Sequence, residues 1–173
     1  FRSRDIHLMR RAVVAVCLLS LCITLAIVAS VRVNVVTATD FDGNNDSPYY
    51  YALATCLPTR APFVWRPLHP ALARLTGLQI DAAFLALTIL WIALLGPAVY
   101  FMLRSAHVSQ WHSAIGALSV YTLPWSTAYI VENPYRVDGL ALLFVVLALA
   151  FAYRRQPHWF MLCLAIGVLA KEA

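Results

Sequence analysis

The stretch IDAAFLALTILWIALLGPAVYFML, residues 80–103, contains only two polar side chains, Asp81 and a threonine. A helix needs about 20 predominantly apolar residues to cross the hydrocarbon core of a membrane. The stretch meets that length, and its Gly96-Pro97 pair is an interruption that membrane helices tolerate. It therefore predicts a transmembrane helix, and that prediction decides the class of fold.

The composition of the whole chain agrees with a membrane protein. Of its 173 residues, 62% are hydrophobic and 12% are charged, whereas soluble domains are about a quarter charged. The net charge of +5 is dispersed without a basic run, which argues against a nucleic-acid partner and for contact with membrane lipids. The four cysteines have neither metal-ligand spacing nor a disulfide pattern.

Four further apolar stretches predict spanning helices, over residues 12–33, 112–131, 134–153 and 157–173. The first is too long for a signal-peptide core of roughly 7–15 residues, so we interpret it as a membrane anchor. The predicted fold class is thus all-α, a polytopic bundle of about five spanning helices in one transmembrane domain. Because the chain starts at Phe and stops within an apolar run, we expect it to be the N-terminal portion of a larger protein.

The basic residues before the first helix predict a cytoplasmic N-terminus. Alternating crossings then put the loop of residues 34–79 on the outer side, together with residues 132–134 and the end of the fifth helix. The positive-inside bias is modest, seven against six. Seven of the eight acidic residues fall on the outer side: Asp40, Asp42, Asp46, Asp81, Glu132, Asp138 and Glu172.

The outer loop, residues 34–79, is too long for a passive connector. It predicts two short amphipathic helices on the membrane surface. The first begins at Ser47-Pro48, a cap followed by proline, and the second begins near Pro67 or Pro70 and stops at Gly77. Their predicted apolar faces are Tyr50, Leu53, Ala54 and Leu57 in the first and Leu68, Leu72 and Leu75 in the second.

Three aspartates of this loop lie in DFDGNND, residues 40–46. Asp46 directly precedes a helix start, which stabilises an ionised carboxylate, so it is either a general base or only a cap. Asp40 and Asp42 have the alternate spacing of oxygen ligands for a divalent cation. The match to a calcium loop is poor, and a solvated turn is the simpler interpretation.

Charged residues also occur at two places in the later predicted helices, at Asp138 and at Lys171 and Glu172. Asn133-Pro134 predicts a helix start that places Asp138 about one turn inside the fourth helix. There it lies either at membrane depth, where charges mark sites, or at the interface. Lys171 and Glu172 follow about 14 residues after Pro157, roughly 21 Å along a helix and short of the ~30 Å core. They face a cavity or end a short helix.

Positive charge accompanies the acids on the same side. Arg60, Arg66 and Arg74 lie near Trp65 and His69, and guanidinium groups suit either phosphate recognition or contact with anionic lipid. Carboxylates, arginines and a lysine thus meet on the outer face of one helical bundle. That arrangement suits a substrate that carries a phosphate and a hydroxyl group.

The order of these residues resembles the N-terminal half of polytopic GT-C glycosyltransferases that use a polyprenyl-phosphate sugar donor, such as protein O-mannosyltransferases and lipid A aminoarabinose transferases. Asp46 and Tyr50 have the spacing of that family's essential Asp and following Tyr. The segments PFVWRPLHPALARL (62–75), ENPYRVDGLALLF (132–144) and GVLAKEA (167–173) look like three further motifs. The family often has Asp-Glu where this chain has Asp46-Ser47.

The resemblance implies direct transfer of a sugar from the lipid phosphate to an acceptor hydroxyl on a lipid, glycan or protein. Asp46 would be the base and Asp138 the second carboxylate, with Glu132 nearby. Arg66, Arg136 or Lys171 would stabilise the departing phosphate. The remaining residues of the expected substrate site are Tyr50, His69 and Glu172. The one cofactor that the sequence suggests is a divalent cation, which Asp40 and Asp42 would hold.

Two other interpretations stay open. The chain is a transporter or channel subunit, in which Pro97 and Pro124 mark broken helices, or an inactive structural membrane subunit. The expected location is a bacterial plasma membrane rather than the endoplasmic reticulum, with the chemistry on the outer or lumenal side. This 173-residue portion is not expected to be active alone.

Overall fold

The computed structural model describes residues 3–31, 47–59, 66–123 and 127–171, with side chains of the first helix described from Arg10 onward. Every regular element in these ranges is helical, which confirms the all-α class for them. The α-helices are α1 (Ser3–Ser30), α2 (Ser47–Ala54), α3 (Leu68–Leu75), α4 (Ile80–Ser105), α5 (Gln110–Ser119), α6 (Ala128–Glu132), α7 (Asp138–Tyr153) and α8 (Pro157–Ala170).

Two of the described helices, α1 and α4, are long and apolar enough to cross a membrane. They correspond to the predicted spans 12–33 and 80–103. α7 and α8 are apolar but have only 16 and 14 residues, which is about 24 and 21 Å against a core of ~30 Å. By length and composition the described residues therefore supply two spans rather than five.

The predicted continuous helix over residues 112–131 is wrong. α5 ends at Ser119 and tightens into a 3-10 turn over Val120–Thr122, and α6 begins only at Ala128. We attribute the break to the hydrogen bonds that the Tyr121 side chain makes with α4. Its buried hydroxyl donates to Ile92 O at 2.9 Å and accepts from Gly96 N at 3.1 Å, so the chain is anchored to α4 at this point.

The same Tyr121 hydroxyl also bonds to backbone groups of α4 next to Pro97, where one carbonyl would otherwise lack a partner. Gly96 N and Ile92 O are the pair that an uninterrupted helix joins directly. The Tyr121 hydroxyl is inserted between them and also lies 3.4 Å from Ala93 O, the carbonyl that Pro97 cannot reach because it has no N–H. Such repair from a neighbouring segment is what allows proline inside an apolar helix.

The predicted start of the fourth span at Pro134 is also wrong, because α7 begins at Asp138. Residues 133–137 form a turn in which Arg136 N donates to Asn133 O at 3.1 Å. Thr88 of α4 donates its hydroxyl to Pro134 O at 2.9 Å. Asn133 is therefore not the cap of α7, and Asp138 is its first residue rather than one turn inside it.

α4 lies at the centre of the bundle, in contact with α1, α5 and α7, while α8 packs on α7. Among the side chains of α1 that the structure describes, Arg10 to Ser30, only Val16, Ser20 and Thr24 are buried, a spacing of four that forms one stripe on a helix. Large apolar side chains are exposed on the rest of α1, on α7 and on α8. Exposed apolar side chains on three helices indicate that this surface contacts lipid or protein rather than water.

The two helices of the outer loop exist as predicted, at Ser47 and Leu68, and Gly77 ends the second with φ +70°. Their predicted surface position is not what the structure has. Tyr50 and Ala54 of α2 are buried in one cluster with Phe84 of α4. The buried residues of α3 are His69, Pro70 and Ala73, whereas the predicted face residue Leu75 is 81% exposed.

Charged residues separate to the two ends of the bundle. The end at which α4 and α7 begin, here called the Asp138 end, carries Asp81, Asp138 and Lys171. The opposite end, the Arg104 end, carries Arg104 at the last turn of α4 and Arg154 after α7. This separation is the one that the alternating crossings predict.

Candidate functional site

An ion pair joins two of the predicted site residues at the Asp138 end. Lys171 Nζ contacts Asp138 Oδ1, so the residue that follows α8 meets the first residue of α7. Both side chains are partly exposed, 46% for Lys171 and 33% for Asp138, so the pair itself contributes little to stability. The start of α7 additionally favours a carboxylate at Asp138. The pair presents opposite charges side by side at an accessible surface.

Arg136 lies two residues before this carboxylate. Its guanidinium carbon is 3.9 Å from the centroid of the Tyr129 ring, an arrangement in which a cation is held over a π face. Its Nε is buried and has no hydrogen-bond partner among the described residues. A buried donor of this kind is costly unless it meets an acceptor, so Arg136 is suited to bind an anion.

A second pair joins two residues of the loop, Arg66 and Tyr50. Arg66 Nη1 donates to the Tyr50 hydroxyl at 2.7 Å, and Tyr50 is 2% exposed. The hydroxyl oxygen accepts this bond and is fixed beside a positive charge. Tyr50 and Arg66, both predicted as substrate-binding residues, are therefore in direct contact.

The start of α2 is fixed to the segment that precedes α7. Ser47 Oγ donates to Asn133 Oδ1 at 2.8 Å, and both side chains are buried. This bond spans 86 positions of the chain and was not predicted, because Ser47 and Asn133 were both interpreted as helix caps. It ties the loop carrying Asp46 to the segment carrying Arg136.

Asp81 and Tyr135 form another contact that the sequence did not indicate. The Tyr135 hydroxyl donates to Asp81 Oδ1, and the Tyr135 ring packs 4.8 Å from the ring of Phe84. Asp81 was counted among the outer acids without a role. Its position in the first turn of α4, facing the turn before α7, is a tertiary feature with no local signal.

His69 lies behind this surface and is fully buried. Its ring packs edge-on against Phe84 with centroids 5.2 Å apart, and neither ring nitrogen makes a hydrogen bond within the described residues. Burial lowers the pKa of His69 from 6.5 to about 4, and the nearby backbone of Arg136 acts in the opposite direction as the smaller of the two influences. His69 is thus neutral at pH 7, and its role in this arrangement is to pack against Phe84 beneath the surface of the Asp138 end.

The buried histidine predicts an acid-sensitive fold. Between pH 6.5 and 4 the unfolded chain binds a proton at His69 that the folded chain does not, so stability falls as the pH falls. A pKa difference of this size corresponds to about 3 kcal/mol at its full extent. We expect the unfolding midpoint in detergent to drop between pH 7 and pH 4.5, and to drop less in His69→Phe, which cannot titrate. An equal drop in both proteins would show that other groups cause it.

The remaining predicted residues are placed as follows. Glu132 is exposed at the last position of α6. Asp40, Asp42, Asp46 and Glu172 lie outside the described residues. Within the described ranges no group of three or more His, Cys, Asp or Glu side chains is arranged to hold a metal ion, which leaves the divalent-cation prediction at Asp40 and Asp42 untested.

The Asp138 end therefore has a carboxylate in contact with an ammonium group from a segment distant in the chain, and the guanidinium of Arg136 lies two residues before that carboxylate. Such a surface can accept a proton from a hydroxyl and neutralise a phosphate. No match to the chain is found among protein-family models, among curated proteins or among solved structures. Any function assigned to this end accordingly rests on its residues and their geometry.

Proposed function

We propose that the chain is part of a membrane glycosyltransferase that moves a sugar from a polyprenyl-phosphate donor to an acceptor hydroxyl at the Asp138 end. The observation that carries the proposal is the contact of Lys171 with Asp138. Two residues away lies the buried Nε of Arg136, which has no hydrogen-bond partner among the residues that the structure describes. Positive groups next to a carboxylate match the two charges that such a reaction develops.

The step itself balances in a simple way. The acceptor hydroxyl gives its proton to a carboxylate, its oxygen forms a bond to the anomeric carbon, and the bond from that carbon to the phosphate oxygen breaks. The electron pair leaves with the polyprenyl phosphate. Asp46 acts as the base or orients the acceptor, and Asp138 is the second carboxylate. Arg136, Lys171 and Arg66 neutralise the departing phosphate.

A multi-pass arrangement accompanies this proposal. The exposed apolar faces of α1, α7 and α8 are covered by lipid, with the N-terminus in the cytoplasm and the Asp138 end on the outer or lumenal side. α7 and α8 are shorter than the core, so Lys171 lies below the outer surface. A lipid-borne phosphate can reach it there directly from the bilayer. A bacterial plasma membrane is the proposed location.

The test uses membranes that contain the complete protein, including whatever its gene encodes beyond these 173 residues. The wild type is expected to release polyprenyl phosphate from a mixture of radiolabelled polyprenyl-phosphate sugars, and Asp46→Asn to lower the rate on the order of 10²- to 10⁴-fold, the range for a lost general base. Asp5→Asn removes the same charge from the other face and is the matched control.

Each outcome separates the alternatives. Full activity in Asp46→Asn would show that Asp46 only caps the helix and that another residue is the base. A well-folded wild type that consumes none of the donors would contradict the transferase proposal. The break between α5 and α6 next to Pro124 would then favour a transporter subunit, since transporters build their sites at interrupted helices.

A further inference from the structure

A large cavity opens at the Arg104 end, far from the proposed transfer site. Its volume is about 1060 Å³, and residues of α1, α4 and α7 line it together with the turns that follow α4 and α7. The wall is apolar and aromatic, formed by side chains such as Val16, Pro97 and Phe101, whereas the rim is polar. A cavity of this shape fits a ligand with an apolar body and a polar head.

The rim carries positive charge from three arginines, Arg104, Arg154 and Arg155. None of the residues that line the cavity is acidic. The acidic residue nearest to them along the chain is Asp5, about two helical turns before Val13. The polar head that this rim would recognise is therefore an anion.

Two of the arginines are held in place. Arg104 Nη1 donates to Val108 O at 2.5 Å, and the guanidinium carbon of Arg154 lies 5.0 Å from the centroid of the Phe101 ring. Each keeps further N–H donors for another acceptor, because a guanidinium group has five. The rim is thus partly ordered before any ligand arrives, which lowers the entropic cost of binding.

Two of the three non-glycine residues with positive φ in the described part of the chain lie at the same rim, and the third, Cys56, follows α2. His107 and Arg155 have φ values of +60° and +54°, in the left-handed region that usually requires glycine. Both follow a helix in the Schellman arrangement, with bonds from Val108 N to Leu103 O and from Gln156 N to Phe151 O. Side chains at strained positions that glycine would fill more cheaply indicate a functional constraint.

The wall also contains an unsatisfied hydroxyl. Tyr100 is 5% exposed, and its buried Oη makes no hydrogen bond within the described part of the chain. An ester or phosphate oxygen seated in the cavity would give this hydroxyl the acceptor that it lacks.

We propose that this cavity binds an anionic phospholipid, with the phosphate between Arg104, Arg154 and Arg155 and an acyl chain along the apolar wall. Basic pockets between membrane helices on the cytoplasmic side bind anionic head groups in this way. The proposal requires that the bundle spans a membrane, but it does not depend on the transferase activity. The charge of the rim distinguishes a lipid from a further apolar helix, which would leave the arginines without partners.

The experiment reconstitutes the chain into nanodiscs that contain equal amounts of phosphatidylglycerol and phosphatidylcholine with the same acyl chains. The protein is then extracted in mild detergent, and the lipid that stays bound is quantified by mass spectrometry. We expect retained phosphatidylglycerol to exceed phosphatidylcholine. In Arg154→Gln/Arg155→Gln that excess should fall about 25-fold, since each arginine near a lipid head group contributes about fivefold. Tyr100→Phe tests the hydroxyl separately.

The matched control is Arg10→Gln/Arg11→Gln, which removes two exposed arginines from the same end outside the cavity and should retain lipid as the wild type does. Equal loss in both double variants would reduce the effect to general surface charge and overturn the proposal. Retention of phosphatidylglycerol by Arg154→Gln/Arg155→Gln would overturn it as well. Displacement of the lipid by millimolar glycerol phosphate would make the site one for a soluble anion. Unfolding midpoints of all variants exclude a loss of fold.

Discussion

Asp138→Asn is expected to lower the rate of sugar transfer at least a hundredfold while the protein remains folded. The substitution keeps the size of the side chain and removes its negative charge, so it removes the carboxylate that contacts Lys171. Losing one preorganised charged group from an active site lowers rates about 10²- to 10³-fold. The measurement is release of polyprenyl phosphate from the labelled donor by the complete protein in membranes.

The structural cost of this substitution is small by comparison. An exposed ion pair is worth about 0–1 kcal/mol, and the carboxylate at the start of α7 adds about 0.3–1 kcal/mol. Expression and the unfolding midpoint of Asp138→Asn should therefore stay close to those of the wild type. A large drop in activity at an unchanged midpoint would assign the loss to chemistry or binding.

Asp81→Asn is the matched control for Asp138→Asn. Asp81 also lies in the first turn of a helix at the same end, and an asparagine there can still accept the hydrogen bond from Tyr135. We expect this variant to keep most of the activity. If Asp81→Asn and Asp138→Asn lost activity equally, the loss would be due to the total negative charge at the Asp138 end rather than to Asp138 itself. If Asp138→Asn were fully active, the ion pair with Lys171 would be only structural.

Gly96→Ala is expected to destabilise the bundle by about 1–3 kcal/mol, the range for overpacking a filled core. A Cβ at this position would lie 2.3 Å from Ser20 Oγ and 2.8 Å from the Tyr121 hydroxyl. The substitution would push α1 away from α4. It would also disturb the hydroxyl that is inserted between Gly96 N and Ile92 O. The unfolding midpoint in detergent measures the effect.

Two companion variants make the Gly96 prediction specific. At Gly167 an added Cβ meets only Phe144 Cβ, at 3.6 Å, so Gly167→Ala should be neutral or mildly stabilising, because alanine favours a helix. Ser20→Ala removes a buried hydroxyl with no hydrogen-bond partner among the described residues and should restore part of the stability of Gly96→Ala. Additive effects of Ser20→Ala and Gly96→Ala would contradict the contact between them.

Long apolar runs were the reliable part of the sequence. Residues 80–103 predicted α4 to within two residues, and 12–33 identified the apolar part of α1. The helices at Ser47 and Leu68 and the stop at Gly77 were also predictable. Proline, serine and glycine at helix ends act through local backbone geometry, which needs no knowledge of the rest of the fold.

The failures share a cause that is not local. Residues 112–131 are apolar enough for one helix, but the hydroxyl of Tyr121 is bound to α4, and the helix ends there. Asn133-Pro134 has the local form of a helix start. Thr88 and Ser47 bind Pro134 and Asn133 instead, and α7 begins later. In each case a hydrogen bond to a distant segment outweighs the local preference.

The same distinction applies to the candidate site: some of its features follow from the sequence, and others follow only from the tertiary structure. The sequence alone predicted that most acidic residues lie at one end of an apolar all-α bundle, because charge and hydropathy are carried by the residues themselves. It also named Asp138, Arg136, Tyr50 and Lys171. Only the tertiary structure decided that Lys171 contacts Asp138, that Arg66 contacts Tyr50 and that His69 is buried and neutral. Those pairings and that burial depend on which helices pack together, and helix packing depends on shape complementarity between segments far apart in the chain.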